Sequence, residues 1–586
     1  MILRDGYLLF PHDKQGLSAP QAVIAIEAPR AKGLPDPVSA TIVWVREVTN
    51  MYSVNLTESY FPAQGDEPAA MTIGEMLQRS VDAAPDMPAL KELGYDGAIG
   101  RTWTYKELQA DAERLARALA SRHAEGARIA VYANNVPEWV LLELACGLAG
   151  VILVTVNPAY QKRELKYVLE QSRSEAIYYV ADFRGNPMQE IADSVCDEIP
   201  AIKHRILLTD HDALYAGADQ GELRSPKPND AVQIQYTSGT TGFPKGALLH
   251  HNGLVRNGID AMTRGGVKPG DVFVHNMPLF HTTGCAILVL GGFGTQSTML
   301  LAPMFDPAMI VRVIEREKAR FILGVPTMLV ALIHEVRQSG GDMTSVECIM
   351  SGGSMVPPQL CRDALETLGA PIQIVYGQTE TSPVLTQAWH ADSEEDLTQT
   401  IGQPVAYTEI SIRDPNSNAV IPIGEQGEIC ARAYSVMLGY NDNPEATAAT
   451  IDGDGWLHTG DLGRMDARGY VKITGRVKEM IIRGGENLFP AEIENAMLEH
   501  DAIDEVAVVG VPDEKWGEQV ACFIRSESDH AFSPDELKTF VRERLSPQKT
   551  PAYWVQVTDW PLTGSGKIRK FKLAEEFEAG QHTPMG

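Results

Sequence analysis

Residues 236–251 read YTSGTTGFPKGALLHH. Three glycines, four aliphatic hydroxyls, a proline and a lysine crowd into residues 236–246. The stretch continues AVQIQY (231–236), which has strand character, and precedes ALLHHNGLVRNG (247–258), a run compatible with helix. Gly239, Gly242 and Gly246 let backbone amides turn inward. Thr237, Ser238, Thr240 and Thr241 add hydroxyl donors and Lys245 adds a mobile cation, a set that suits phosphate oxygens. The order is not that of a Walker A loop, because Lys245 follows a proline and precedes a glycine instead of a Ser or Thr. Composition alone leaves an anion-binding loop and a plain surface turn both open.

Outward from this loop the chain alternates strand and helix. Residues 104–122 carry apolar positions at helical spacing, and ARIAVYANN (127–135) reads as a strand entering a polar turn. PEWVLLELACGLAGVILVTVNPAY (137–160) gives a helix, a glycine break and a strand; ELKYVLEQS (164–172) is a helix and AIYYVAD (176–182) a strand. The alternation returns over 303–384, with helices at 307–318 and 326–337 and strands FILGVP and IQIVYG. Such a pattern predicts parallel sheet covered by helices, one large α/β body with more than one sheet between 76 and about 476. After 400, YTEISIRDP, GEQGEICARA and GYVKITGR alternate as short antiparallel strands. From 490 a small α+β unit begins: a helix in PAEIENAMLEH, a strand in DEVAVVGVPD, and a helix opened by a capping box of Ser533 and Glu536. The predicted organisation is an extension over 1–50, containing one strand-like run TIVWV, a large α/β domain over 51–477 and a small C-terminal domain over 478–586.

The length, 586 residues, exceeds what one core supports. Fifty basic against 77 acidic side chains give a net charge of -27, which argues against nucleic acid and anionic membranes as partners. Seven scattered cysteines with no CxxC pair argue against a disulfide scaffold or structural zinc. No apolar run reaches the roughly 18 residues of a membrane span, and MILRDGYLLFPHDK makes a poor signal peptide. A cytoplasmic protein without integral membrane contact is expected; a homodimer is left open.

The loop and five further segments in fixed order resemble the adenylate-forming superfamily, specifically the acyl-CoA synthetases. They are MPLFHTTG (277–284), SGGSMVP (351–357), VYGQTE (375–380), WLHTGDLG (456–463) with GRVKEMIIRGGENLFPAEIE (475–494), and PLTGSGKIRK (561–570). The medium-chain and fatty-acid members are most alike. The resemblance implies the superfamily's α/β fold, with a large N-terminal domain and a small mobile C-terminal one. It implies a two-step reaction in which a carboxylate attacks the α-phosphate of ATP, giving acyl-AMP and pyrophosphate. Coenzyme A then takes the acyl group and AMP leaves.

Under this resemblance each segment acquires a role. Thr237, Ser238, Gly239, Thr240, Thr241, Gly242 and Lys245 bind phosphates. Glu380 is the acid for a magnesium ion, Mg2+, and Thr379 contacts the α-phosphate. Gly352, Gly353, Ser354, Tyr376, Gly377, Asp461 and Arg476 hold the adenosine, Asp461 accepting from the ribose diol. Lys567 meets carboxylate and α-phosphate during adenylation, and Lys478 marks the hinge. His281 is a gate or thiol-step residue, while Gly484 and Gly485 lie on the coenzyme A side and permit close approach of its pantetheine arm. Acetate-specific relatives carry a tryptophan where this chain has Gly377, so glycine there implies room for a longer acid, each buried methylene contributing about 0.8 kcal/mol. Aryl acids, an acyl-AMP ligase serving a carrier protein, and a catalytically silent acyl- or nucleotide-binding protein are the alternatives.

Overall fold

The computed structural model describes residues 2–4, 7–9, 52–65, 67, 69–237, 244–484, 486–526, 530, 532–562 and 568–585. The chain divides into two units, Met1–Met51 and Tyr52–Gly586. The first contains an antiparallel pair, Ile2–Arg4 with Tyr7–Leu9; the strand expected in TIVWV lies outside the described residues.

The second unit is built on four sheets. In the first, Ala231–Thr237, Ile152–Val156, Arg128–Tyr132, Ala176–Tyr179 and His204–Leu207 run parallel in that order. Ile152–Val156 is buried along its whole length, as a strand covered on both faces must be. The second sheet has nine strands. Its middle, Ile372–Gly377, Cys348–Gly352, Phe321–Leu323, Val272–His275 and Thr298–Leu301, is parallel. The third is antiparallel: Val471–Arg476, Gly427–Ala433 and Thr408–Arg413, anticipated after 400, are joined by Leu457–Met465 and Tyr60–Phe61 in the order Val471–Arg476, Leu457–Met465, Gly427–Ala433, Thr408–Arg413, Tyr60–Phe61. The fourth joins Glu486–Leu488, Ile481–Arg483, Gly517–Arg525, Glu505–Asp513 and Tyr553–Gln556.

Local signals place the helices. Thr72 with Glu75, Thr104 with Glu107 and Ser533 with Glu536 form reciprocal capping boxes, each satisfying two otherwise orphaned donors. The helix Pro137–Ala149 stops at Gly150, which is left-handed at φ 61°.

One element differs from expectation. ALLH after the loop is strand, Lys245–His250, antiparallel to Ala231–Thr237, and the helix starts only at His251. The pair Leu248–Leu249 fits either period, and ladder pairing with Gln233 and Ile234 decides for strand. His250 then caps the helix, its Nδ1 accepting from the Gly253 N–H at 3.1 Å.

Two apolar cores are drawn entirely from residues before 472, whereas both faces of the fourth sheet have cores of their own, from Ile481 to Trp554 and from Ala507 to Leu573. No described helix is long and apolar enough to cross a membrane.

Candidate active site

The glycine-rich loop sits at the closed end of a hairpin. Tyr236 faces Gly246 and Thr237 faces Lys245 across the ladder, and Thr237 Oγ1 donates to the Lys245 carbonyl at 3.4 Å. Ser238, Gly239, Thr240, Thr241 and Gly242 lie outside the described residues. The neighbouring helix Lys162–Ser172 fixes the hairpin: the Tyr167 hydroxyl donates to the Pro244 carbonyl at 2.8 Å, and that of Tyr236 to Gln171 Oε1 at 2.5 Å.

Glu380 is held in a short turn, Thr379–Thr381, directly after the strand Ile372–Gly377. It is buried. The Tyr440 hydroxyl donates to its Oε1 at 2.6 Å, and the Met437 N–H donates to its carbonyl at 2.8 Å. The Lys245 ammonium lies 4.8 Å from the Tyr440 ring centroid, a cation–π distance. Lys245 and Tyr440 line a cavity of about 230 Å³ together with Tyr167, Gln171, Asn441 and Asn443. Thus the expected phosphate cation and the expected metal acid meet on one tyrosine that the motifs did not indicate.

A second cluster forms around Asp461. It stands opposite Arg476 in the strand pair Leu457–Met465 and Val471–Arg476. Arg476 Nε is 2.9 Å from Asp461 Oδ1, and the Tyr376 hydroxyl donates to Oδ2 at 2.9 Å. Burial raises the Asp461 pKa, while Arg476 and Tyr376 oppose the shift. Gly352 pairs with Val375, one residue before Tyr376, so the Gly352–Gly353–Ser354 turn and the Tyr376–Glu380 turn leave the same end of two adjacent parallel strands. Ligands of open α/β sheets bind at such strand ends.

Gly377 has a different reason from the one expected. A Cβ there would lie 1.8 Å from the Pro383 carbonyl oxygen, 2.9 Å from the Pro383 carbonyl carbon and 3.0 Å from the Leu385 nitrogen. Glycine is required by backbone approaching backbone, so its presence does not report the size of an acyl pocket. Gly484 likewise answers to its own surroundings. It is left-handed at φ 61°, and a Cβ would lie 2.7 Å from the Trp516 ring.

His281 is half-buried, its ring 4.3 Å from that of Phe280, and its carbonyl accepts from the Cys285 N–H at the start of the buried π-helix Thr283–Gly291. Lys478 is exposed in the turn Val477–Glu479. Gly485 and Lys567 lie outside the described residues. The segment around Lys567 is anchored on either side, by the Leu562–Ile568 bridge and by the Arg569 N–H donating to the Pro561 carbonyl at 2.7 Å. Burial pushes the Tyr160 phenol up to about 12, and the Arg569 guanidinium acts against it.

The AMP-binding enzyme family matches residues 77–441, and the AMP-binding enzyme C-terminal domain matches residues 492–567. A Bacillus subtilis (strain 168) protein named "Putative acyl-CoA synthetase YngI" is 35% identical over 535 residues, covering 86% of this chain and 97% of the relative. The human medium-chain acyl-CoA ligase ACSF2, mitochondrial, is 33% identical over 543 residues, covering 86% and 88% respectively. Among solved structures, o-succinylbenzoate CoA synthetase (MenE) of Bacillus subtilis with its acyl-adenylate intermediate superimposes with a TM-score of 0.75 at 28% identity, covering 85% of this chain and 97% of that one. The chain belongs to the AMP-binding enzyme family, with the adenylate-forming α/β fold of a large N-terminal and a small C-terminal domain.

Proposed function

We propose that this AMP-forming acid–thiol ligase takes a medium-chain aliphatic carboxylic acid, converts it with ATP to acyl-AMP, and passes the acyl group to coenzyme A. The ligase class follows from the acyl-CoA synthetase and ligase relatives along nearly their whole length. The aliphatic, medium-chain choice is supported by the relatives named for that substrate. The observation that carries the site assignment is the convergence of Tyr376, Asp461 and Arg476 at 2.9 Å contacts, beside the turn that holds Glu380.

In this reading Asp461 accepts from the ribose diol and Arg476 steadies it, Tyr376 lies against adenine, and Gly352, Gly353 and Ser354 line the nucleotide. Thr237 to Gly242 and Lys245 take the outer phosphates. The first step brings a carboxylate to a polyanion, so its barrier falls with donors and cations aimed at the developing charge. Lys567 supplies one such cation and Thr379 a hydroxyl at the α-phosphate. The donors near the phosphates are carboxylate and hydroxyl oxygens, Glu380, Thr237 and Thr379, a hard set that suits Mg2+. Bound there, Mg2+ would neutralise phosphate charge in a protein whose own net charge is -27.

Residues 478–586 move about Lys478 between the two steps, carrying Lys567 out and the Gly484–Gly485 face in. The separate cores on either side of 472–480 support this boundary. His281 serves the acyl pocket and the thiol. The substrates place the enzyme in a cell interior, where ATP and coenzyme A are supplied.

The test is ATP–pyrophosphate exchange over short, medium, long and aryl acids, paired with Lys567→Ala. Exchange should peak with medium-chain acids. The variant should lose adenylation by orders of magnitude and retain thioester formation from supplied acyl-AMP. Equal loss in both half-reactions removes the role given to Lys567, and exchange confined to aryl acids removes the aliphatic assignment.

A further inference from the structure

We infer that Tyr440 is a positioning residue for the phosphate and metal end of the site, orienting the Glu380 carboxylate through its hydroxyl and the Lys245 ammonium through its ring. The inference rests on the reading of Glu380 as the acid that holds Mg2+.

Three features of the backbone make Tyr440 a fixed point. The strand Gly439–Tyr440 pairs with Lys245–His250, Tyr440 facing Ala247. The Asn441 N–H donates to the Gly246 carbonyl at 2.7 Å, one residue from Lys245. The Met437 N–H donates to the Glu380 carbonyl at 2.8 Å, so one short segment, 437–441, is tied to both the loop hairpin and the acid's turn. The Tyr440 N–H is itself satisfied by Thr447 Oγ1 at 2.9 Å.

On this support the side chain does two things. Its hydroxyl donates to Glu380 Oε1 at 2.6 Å, a charge-assisted bond that fixes the carboxylate's rotation. A bond to one oxygen leaves the other to a cation. A phenol keeps its proton to about pH 10, so it is a donor throughout the working pH range. Its ring meanwhile holds Lys245 at 4.8 Å. Two opposite charges thus each have the tyrosine as a neighbour. Both can then turn to a ligand carrying phosphate and cation.

The test uses the full chain and measures ATP binding calorimetrically without any acid, with and without Mg2+, so that no turnover enters. In the parent protein Mg2+ should tighten ATP binding. In Tyr440→Phe that enhancement should shrink about tenfold, the order expected for losing a hydrogen bond to a charge. Thioester formation from supplied acyl-AMP should remain at the parent rate, which also reports a folded protein. Tyr440→Leu, which removes the ring as well, should weaken ATP binding even without Mg2+. An unchanged Mg2+ enhancement in Tyr440→Phe overturns the inference, as does equal loss of both half-reactions, which would mark a merely structural residue. Unchanged ATP binding in Tyr440→Leu without Mg2+ overturns the Lys245 half. Glu380→Gln separates the two levels: if its Mg2+ response equals the parent's, the assignment of Glu380 itself fails.

Discussion

Replacing Gly377 by alanine sets a pocket-size explanation against a backbone explanation of the same glycine. The new methyl carbon would start 1.8 Å from the Pro383 carbonyl oxygen. Carbon and carbonyl oxygen rest at about 3.3 Å or more, so the strands must part by roughly 1.5 Å. The three nearest atoms that would have to yield are all backbone, in Pro383 and Leu385, and cannot rotate away as a side chain would. The strands concerned, Ile372–Gly377 and Val384–Gln387, already shift register between Tyr376 and Gly377, which leaves little slack. Overpacking in side-chain cores costs about 1–3 kcal/mol, and a backbone-on-backbone overlap belongs at or above the top of that range, ~3 kcal/mol. Opening the pair would also displace Tyr376, Thr379 and Glu380. The assay is the urea midpoint of tryptophan fluorescence together with ATP–pyrophosphate exchange from acetate to palmitate. The midpoint should fall, and adenylation should drop by one common factor for all acids. A variant as stable as the parent whose preference moves to shorter acids would refute the backbone reasoning and restore Gly377 as a pocket residue.

Asp461→Asn keeps the shape of the side chain but removes the charge facing Arg476 and the ribose; ATP affinity should fall about tenfold or more, the loss of a charge-assisted bond of ~1.5–3 kcal/mol, and an unchanged Kd by calorimetry would contradict the ribose role. Stability should also respond to acid through two buried imidazoles: burial pushes His251 and His275 down to about 4, and His251 Nδ1 accepts from the Ile73 N–H at 3.3 Å, which only a neutral ring can do. Because their folded pKa lies below the unfolded value of about 6.5, the unfolded chain binds more protons, so stability is full above pH 6.5 and is lost as pH falls towards 4, by about 1.4 kcal/mol per unit for each ring; urea midpoints that stay flat between pH 6.5 and 5 would count against it.

The fold was largely legible because its signals are local. Strand and helix alternate at the right lengths through 127–182 and 303–384, and Ser533 with Glu536 announces a helix start within four residues. The strand Lys245–His250 escaped because its period is ambiguous and its partner, Ala231–Thr237, is what selects it. The same distinction separates the residues of the site. Thr379, Glu380, Tyr376 and Asp461 were singled out because the family spells them in short contiguous words. Tyr440 stands 60 residues from Glu380, and nothing in its local sequence points there; only the pairing of Gly439–Tyr440 with the loop hairpin carries its hydroxyl to the acid.

Gly377 teaches the converse. A motif can single out a glycine and attach the wrong cause to it, since the atoms that forbid a side chain belong to the far limb of a turn. Charge near the expected hinge follows this rule too. Lys478 was singled out from its motif, yet its neighbour Glu479 does the joining: 3.8 Å from Arg476 on one side and 3.0 Å from Lys570 on the other, with Lys570 also 2.8 Å from Glu494. Arg476 in turn holds Asp461 at 2.9 Å. Charges thus run from Asp461 to Lys570, three residues beyond Lys567, through pairs separated by up to 91 residues. No window of sequence contains such a chain. It exists because the strand Val471–Arg476 runs directly into the turn Val477–Glu479, which sets Arg476 and Glu479 side by side.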